Sequence, residues 1–389
     1  MDIGLIDLVY KYVYIGKFRS KLFQLNKYIY NHLASFVEIS DCCLTDKIIK
    51  QPRFNNIYKL NLNNNNNITD NGIKHIDIYS LNLEDNWIIT DEGIKHMNIR
   101  ELNLSNNDNI TDEGIKYMKL HTLNLSYNYN ITDKGIKSMR LYSLDLTSNV
   151  KITDEGIRYM NLHTLILDNN SNIIGKYMRR MTGLRILNLN NNHKIINKII
   201  KHMELDELEL ESNKLITNNG IKHMNLIKLN LNKNDNIRDH GIKHRNLEIL
   251  YLDYNKKITD KGIENMNLRI LSLCENDNIT DNGIRYMNLK KLYLSGNKKI
   301  TNNGIKHMNL NTVDLVNNQK ITNIGILHMD LKVLSKCGYS LITDDVLVYL
   351  QLNKLIIDNI DDCYLDILKK MNSFYEIQIN DEEHIITYY

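Results

Sequence analysis

Seven histidines, His75, His96, His202, His223, His244, His307 and His328, occupy one recurrent position, as a row of metal sites would require. Yet the chain has neither HxxH nor CxxC spacing, so the row reads as a surface stripe generated by repetition, and no metal or other cofactor is expected. Cys42, Cys43, Cys274, Cys337 and Cys363 are odd in number and include one adjacent pair. They read as free thiols of a reducing compartment. Lys74, Lys95, Lys116, Lys137, Lys222, Lys243 and Lys306 form a parallel basic row, read as a solvated face. Nucleic-acid binding through that row is set aside, because it lacks interleaved aromatic residues and the chain as a whole carries only +3. Carboxylates, lysines and histidines thus run in separate rows without converging into an acid, a base or a nucleophile. The chain reads as a non-enzyme with no catalytic residues.

These rows exist because the sequence repeats. Gly72, Gly93, Gly114, Gly135 and Gly156 are each 21 residues apart, and so are Gly220, Gly241, Gly262, Gly283, Gly304 and Gly325. One unit runs Leu120-x-x-Leu123-x-Leu125-x-x-Asn128-x-x-Ile131-Thr132-Asp133-x-Gly135-Ile136-x-x-Met139, and its start recurs from 57 to 352 with one step of 22. Leu123 and Leu125, two apart, point inward from a short strand. Ile136 and Met139, three apart, share one face of a short helix. Thr132 or Asp133 stands where a helix N-cap belongs, and the glycine permits close approach of the next coil. Period and pattern resemble the leucine-rich repeat. The resemblance implies an α/β leucine-rich-repeat solenoid, a curved parallel sheet backed by short convex helices, with a small N-terminal helical head.

Asn is the most conspicuous element of composition, at 59 residues against one Pro and one Trp. Asn65, Asn86, Asn107, Asn128, Asn149, Asn170, Asn192, Asn213, Asn234, Asn255, Asn276, Asn297 and Asn318 share the position three residues after the second strand leucine. There the backbone leaves the sheet, and an amide side chain can supply both donors and an acceptor to its groups. This structural ladder sets a loss of roughly 1–3 kcal/mol for Asn149→Ala. The outward strand positions form the candidate partner surface, since a solenoid presents one from every coil. Their central column reads Asn61, Asn82, Asn103, Asn124, Asp145, Ile166, Asn188, Glu209, Asn230, Tyr251, Ser272, Tyr293 and Asp314. Asp145, Asp168, Glu207, Glu209, Glu211, Tyr251, Asp253, Tyr293 and Asp314 are the candidate contacts, with the tyrosines as anchors and the acids supplying charge.

The array has irregularities. Between Asp168 and Leu205, Asn172-Ile173-Ile174-Gly175 replaces the usual turn and Ile199 stands at a glycine position, while Lys336 replaces a strand leucine. Residues 57–360 read as repeats, 36–56 as an N-terminal cap or first degenerate repeat, and 361–389 as a C-terminal cap. Neither a signal peptide nor a membrane span is expected, and the chain reads as cytoplasmic or nuclear.

Residues 1–35 read as short helices outside the array. Their apolar order, Ile6, Val9, Tyr12, Val13, Phe18, Leu22 and Leu25, followed by Lys27 and Tyr28, resembles a divergent F-box. The opening Leu-Pro is lacking, and Lys17 and Tyr28 stand where Asp and Trp are usual. The I-T-D-x-G-I turn is similar to the repeats of F-box/leucine-rich-repeat proteins, and the Asn-, Ile-, Tyr- and Lys-heavy usage is similar to those of giant viruses. The resemblance implies a Skp1-type adaptor bound by residues 1–35, and a protein held on the concave face for a cullin ubiquitin ligase, inside an infected host cell. The alternative is a stand-alone binding scaffold whose N-terminus is only a cap.

Overall fold

The structure, a computed structural model, describes residues 38–40, 44–51, 54, 57–243, 247–337, 340–347, 349–358, 376–380 and 385–388. The expected head, with Ile6, Val9, Tyr12, Val13, Phe18, Leu22, Leu25, Lys27 and Tyr28, lies outside these residues. Two compact units divide the chain, Met1–Met160 and Asn161–Tyr389.

In the first unit, strands β1 (Glu38–Ser40), β2 (Lys59–Asn61), β3 (Ser80–Asn82), β4 (Glu101–Asn103), β5 (Thr122–Asn124) and β6 (Ser143–Asp145) pair in parallel in chain order. Leu102 stands opposite Leu123, and Leu123 opposite Leu144, so the register equals the sequence period. Parallel pairing follows from the return of every coil over its far side before the next strand begins. Leu120, Leu123, Leu125, Ile131, Ile136 and Met139 are all buried, closing one coil around an apolar interior. Each such side chain contributes about 1.5–3 kcal/mol by burial. Residues 44–51 already build the far side of a coil, with Thr45 capping the helix Asp46–Ile49.

The second unit holds β7 (Thr164–Ile166), β8 (Ile186–Asn188), β9 (Glu207–Glu209), β10 (Lys228–Asn230), β11 (Ile249–Tyr251), β12 (Ile270–Ser272), β13 (Lys291–Tyr293), β14 (Thr312–Leu315), β15 (Val333–Cys337), β16 (Lys354–Asp358), β17 (Glu376–Asn380) and β18 (Ile385–Tyr388). Strands β7 to β17 are parallel in chain order, and β18 runs antiparallel along β17.

The far side of a coil is a single helical turn, and its Thr and Asp have different tasks. Thr132 is the N-cap of Asp133–Ile136, its hydroxyl accepting from Lys134 N. The same hydroxyl donates to Asp112 Oδ2 of the preceding coil (2.6 Å), and Thr132 N donates to Asp112 Oδ1 (2.8 Å). Each Asp therefore ties the next coil's cap. Where Asn replaces Asp the polarity reverses: Asn302 Nδ2 donates to Thr322 Oγ1 (2.8 Å), and Thr322 makes no side-chain cap bond. The neighbouring Asp281–Thr301 pair keeps it, with Thr301 Oγ1 accepting from Asn303 N at 3.2 Å. Thr259, tied to Asp239, is a coil where the carboxylate is present and the cap bond is not. Asn302→Asp should free the Thr322 lone pair for the helix and add a favourable charge at its N-terminus. The expected gain is about 1 kcal/mol, read as a higher urea midpoint; a lower midpoint would refute the polarity argument.

The irregular coil has a packing explanation. With no Asp or Asn at the tying position of residues 172–175, the space is taken by Ile199, whose Cγ2 would stand 2.8 Å from a Cβ at Gly175. Gly175 has φ +84°, a region glycine enters without strain. Lys336 keeps its interior position, buried in the lengthened β15, and its ammonium donates to Ile342 O at 2.8 Å.

Candidate protein-binding face

The Asn ladder frames the face from within. Asn128 Nδ2 donates to Leu104 O (3.1 Å) and Asn107 O (2.5 Å) of the preceding coil, while its Oδ1 accepts from Asn130 N (3.1 Å) and Ile131 N (2.9 Å). Asn65, Asn86, Asn107, Asn149, Asn170, Asn192, Asn213, Asn234, Asn255, Asn276, Asn297 and Asn318 are likewise buried. The bonds of Asn149, Asn234 and Asn297 repeat the pattern of Asn128. One residue earlier the chain is left-handed, as at Tyr127 (φ 54°), Lys233 (φ 50°) and Glu275 (φ 50°). Non-glycine residues hold this costly conformation because the ladder bonds fix the turn around it.

The outward column at the strand ends also bonds to the backbone. Asn82, Asn103 and Asn124 each accept, through Oδ1, the N–H two residues on, at 2.9, 2.9 and 2.8 Å. Asp145 accepts both Thr147 N and its hydroxyl, and Asp314 accepts Val316 N at 3.0 Å. These side chains cap the sheet edge as Asx turns.

Four coils of the second unit depart from this rule, while Asn188 and Asn230 keep it. Their column residues are Glu209, Tyr251, Ser272 and Tyr293, none an Asx residue. Three of these turn amides are then served by the coil before: Asn190 takes Glu211 N (2.7 Å), Asn232 takes Asp253 N (2.7 Å) and Asp253 takes Cys274 N (2.9 Å). Asp253 also accepts the Ser272 hydroxyl and Asn232 Nδ2 (3.1 Å), so its carboxylate is committed to the turns. Tyr251 and Tyr293 are relieved of that duty. Beside them, Ile249 and Ile270 face outward on paired strands and are only part-buried. The reading of the sequence passed over these two isoleucines; their position two before the column residue is the signal that marks them.

Charges surround this apolar strip. Lys228 reaches Glu209 (2.9 Å) and Glu207 (3.4 Å) and stands 5.9 Å from the Tyr251 ring centroid. Burial alone would lower its pKa, but the Glu209 bond and the two carboxylate charges outweigh it and hold the ammonium above its ordinary range. Lys233 pairs with Glu211 at 3.2 Å. Asp168 accepts Asn191 Nδ2 at 3.2 Å. Burial raises the Asp314 carboxyl, and the Asp253 and Asp358 charges add to the rise. Burial likewise raises the Tyr293 phenol, with Tyr251, Asp314 and Cys274 contributing. The Cys274 thiol is pushed up to about 12 by burial and by Asp253, which makes it a hydrogen-bonding group and a poor nucleophile.

A Leucine Rich repeat family matches residues 79–96, 95–119, 118–139, 141–160, 243–266, 264–287 and 285–307. The repeats are leucine-rich repeats. Each unit is therefore a leucine-rich-repeat solenoid, and leucine-rich repeats imply protein–protein interaction. Among solved structures, a chain in the crystal structure of the Rad7 and Elc1 complex in yeast is similar at 17% identity, over 90% of this chain and 98% of that one, with a TM-score of 0.46. A comparison with curated proteins found no match. Among the described residues no group of three His, Cys, Asp or Glu side chains is placed to hold a metal ion, and no helix is long and apolar enough to cross a membrane.

Proposed function

We propose that the chain captures a protein on the strand face of its second unit and, through residues 1–35, delivers it to a Skp1–cullin ubiquitin ligase as an F-box-type substrate receptor. The observation that carries capture is the exchange along the column. Tyr251 and Tyr293 replace side chains that elsewhere bond the turn, and after Tyr251 the preceding coil takes over the lost bond through Asn232. An arrangement that gives up local bonds to present two tyrosines beside Ile249 and Ile270 suits an aromatic anchor on a protein partner. Glu207, Glu209 and Glu211, paired with Lys228 and Lys233, together with Asp168 and Asp314 give the apolar strip a polar, charged rim. Delivery rests on the F-box resemblance of Ile6, Val9, Tyr12, Val13, Phe18, Leu22, Leu25, Lys27 and Tyr28.

The two halves separate in one experiment. Full-length protein is compared with Tyr251→Ala/Tyr293→Ala and with Leu22→Asp/Leu25→Asp, in affinity capture from cell extract supplemented with purified Skp1. The tyrosine variant should lose captured protein by about 30-fold or more and keep Skp1. The leucine variant should do the reverse. Skp1 missing from the unaltered chain would leave the stand-alone scaffold as the function, and captured protein indifferent to both tyrosines would remove the strand face as its site.

A further inference from the structure

The far side of the second unit carries a cleft of about 970 Å³, lined in part by Arg285, Tyr286, Lys299, Lys306 and His307. We propose that this cleft binds single-stranded nucleic acid. Two observations meet there, uncompensated positive charge and a free aromatic face.

The charge is local. From Asn282 to Val313 there is no Asp or Glu in 32 residues, while Arg285, Lys290, Lys291, Lys298, Lys299 and Lys306 contribute six cations. In part of the basic row the charge is neutralised at its own site: Lys95 pairs with Glu92, Lys116 with Glu113 and Arg158 with Glu155, each three residues apart. In the cleft the corresponding residues are Asn282 and Asn303, and Lys306 meets only the Asn303 amide oxygen at 3.3 Å. Among the described residues no carboxylate lies within ion-pair distance of Arg285, Lys299 or Lys306. The one acid of the lining, Asp281, has both oxygens engaged by Thr301, at 2.8 Å to its N and 2.6 Å to its Oγ1.

The aromatic group is Tyr286, 82% exposed, with the Arg285 guanidinium 5.6 Å from its ring centroid. Tyr117 and Tyr159 occupy the same repeat position and are 83% and 75% exposed, but the cations over their rings are the ones paired with Glu113 and Glu155. Of these three tyrosines, Tyr286 is the one whose neighbouring cation has no carboxylate partner among the described residues. A tyrosine beside a planar guanidinium offers a stacking platform to an unpaired base of any sequence, and Lys299 and Lys306 can track the adjoining phosphates. A duplex, with its bases already stacked, would leave the ring unused.

The test is fluorescence anisotropy of full-length protein with end-labelled twelve-nucleotide single strands of mixed sequence, as RNA and as DNA, over a series of KCl concentrations. With three phosphates neutralised, log affinity should fall against log salt with a slope of about −2. Lys299→Ala/Lys306→Ala should flatten that slope by about 1.4. Tyr286→Ala should weaken binding by about 5- to 150-fold and leave the slope in place. Lys95→Ala/Lys116→Ala, in the compensated part of the row, should match the unaltered protein within about twofold. Tyr286, Lys299 and Lys306 are exposed, and circular dichroism of each variant checks that the coils are intact. Absence of binding at low salt, tighter binding of the matching duplex, or inorganic polyphosphate binding as strongly with no response to Tyr286→Ala would each overturn the proposal.

Discussion

Gly135→Ala is expected to destabilise the first unit by about 3–5 kcal/mol, although alanine is the better helix former by up to about 1 kcal/mol. The reason lies one coil away. A Cβ at Gly135 would stand 2.4 Å from Asp112 Oδ1 and 3.2 Å from Ile131 Cγ2. The carboxylate cannot simply retreat, since its two oxygens hold Thr132 N and Thr132 Oγ1 at 2.8 and 2.6 Å. Backbone freedom is not the issue, because Gly135 is helical and has no positive φ. Bonds to a charged group contribute about 1.5–3 kcal/mol each, and the added methyl must either break them or push the helical turns apart. A double-mutant cycle isolates the cause. Asp112→Ala removes both the clashing oxygen and its bonds, so Gly135→Ala in that background should cost nothing or stabilise slightly, giving a coupling as large as the single-variant cost, about 3–5 kcal/mol, in urea unfolding. Additive costs would show that the glycine is required for some other reason.

How far the sequence discloses these relations depends on whether a role is fixed by residue type or by neighbours in other coils. Leu123, Leu125, Ile131 and Ile136 declare their burial by spacing alone, because inward positions in a strand and a helical turn accept little else. Thr132 and Asp133 announce a helix start, yet the sequence leaves open which of them caps. The answer comes from stacking: Asp133 faces Thr153 of the next coil, at 2.8 Å to its N and 2.6 Å to its Oγ1, which leaves Thr132 as the cap. The pairing of Asp112 with Gly135 spans 23 residues and cannot be read from a single unit. The left-handed position is hidden for another reason. It is filled by Tyr127, Ser148, Lys233 and Glu275 as well as Asn, and glycine only at Gly296, so no residue type marks it. The candidate face was legible in its tyrosines. Its limits were not, because Asn82, Asn103 and Asp145 look like free polar side chains until their bonds to the turn amides are seen.

Asn128 carries the sharpest test of the ladder, because one substitution keeps its shape and changes only what it can donate. Removing the side chain in Asn128→Ala deprives Leu104 O, Asn107 O, Asn130 N and Ile131 N of a partner in a buried place. At roughly 1 kcal/mol for each bond, the loss is about 4 kcal/mol, beyond the range that burial of a lone polar group would set. Asn128→Asp is isosteric and retains an oxygen for the two amides. Its second oxygen, however, replaces the nitrogen that donates to two carbonyls, and an ionised carboxylate there meets only acceptors. Burial and carbonyl repulsion both favour the neutral acid, so the introduced group should titrate above the roughly 3.9 of an unfolded aspartate. The sign follows directly. A folded-state pKa raised above the unfolded one leaves the variant most stable below about pH 4, where the protonated acid can still donate one bond, and costs stability as pH rises through the folded value. The gap in urea midpoint between Asn128→Asp and the unaltered protein should therefore widen from pH 4 to pH 7. A gap that is constant or narrows would mean that the amide nitrogen does not face the carbonyls of the preceding coil, and the ladder would lose the donors that join one coil to the next.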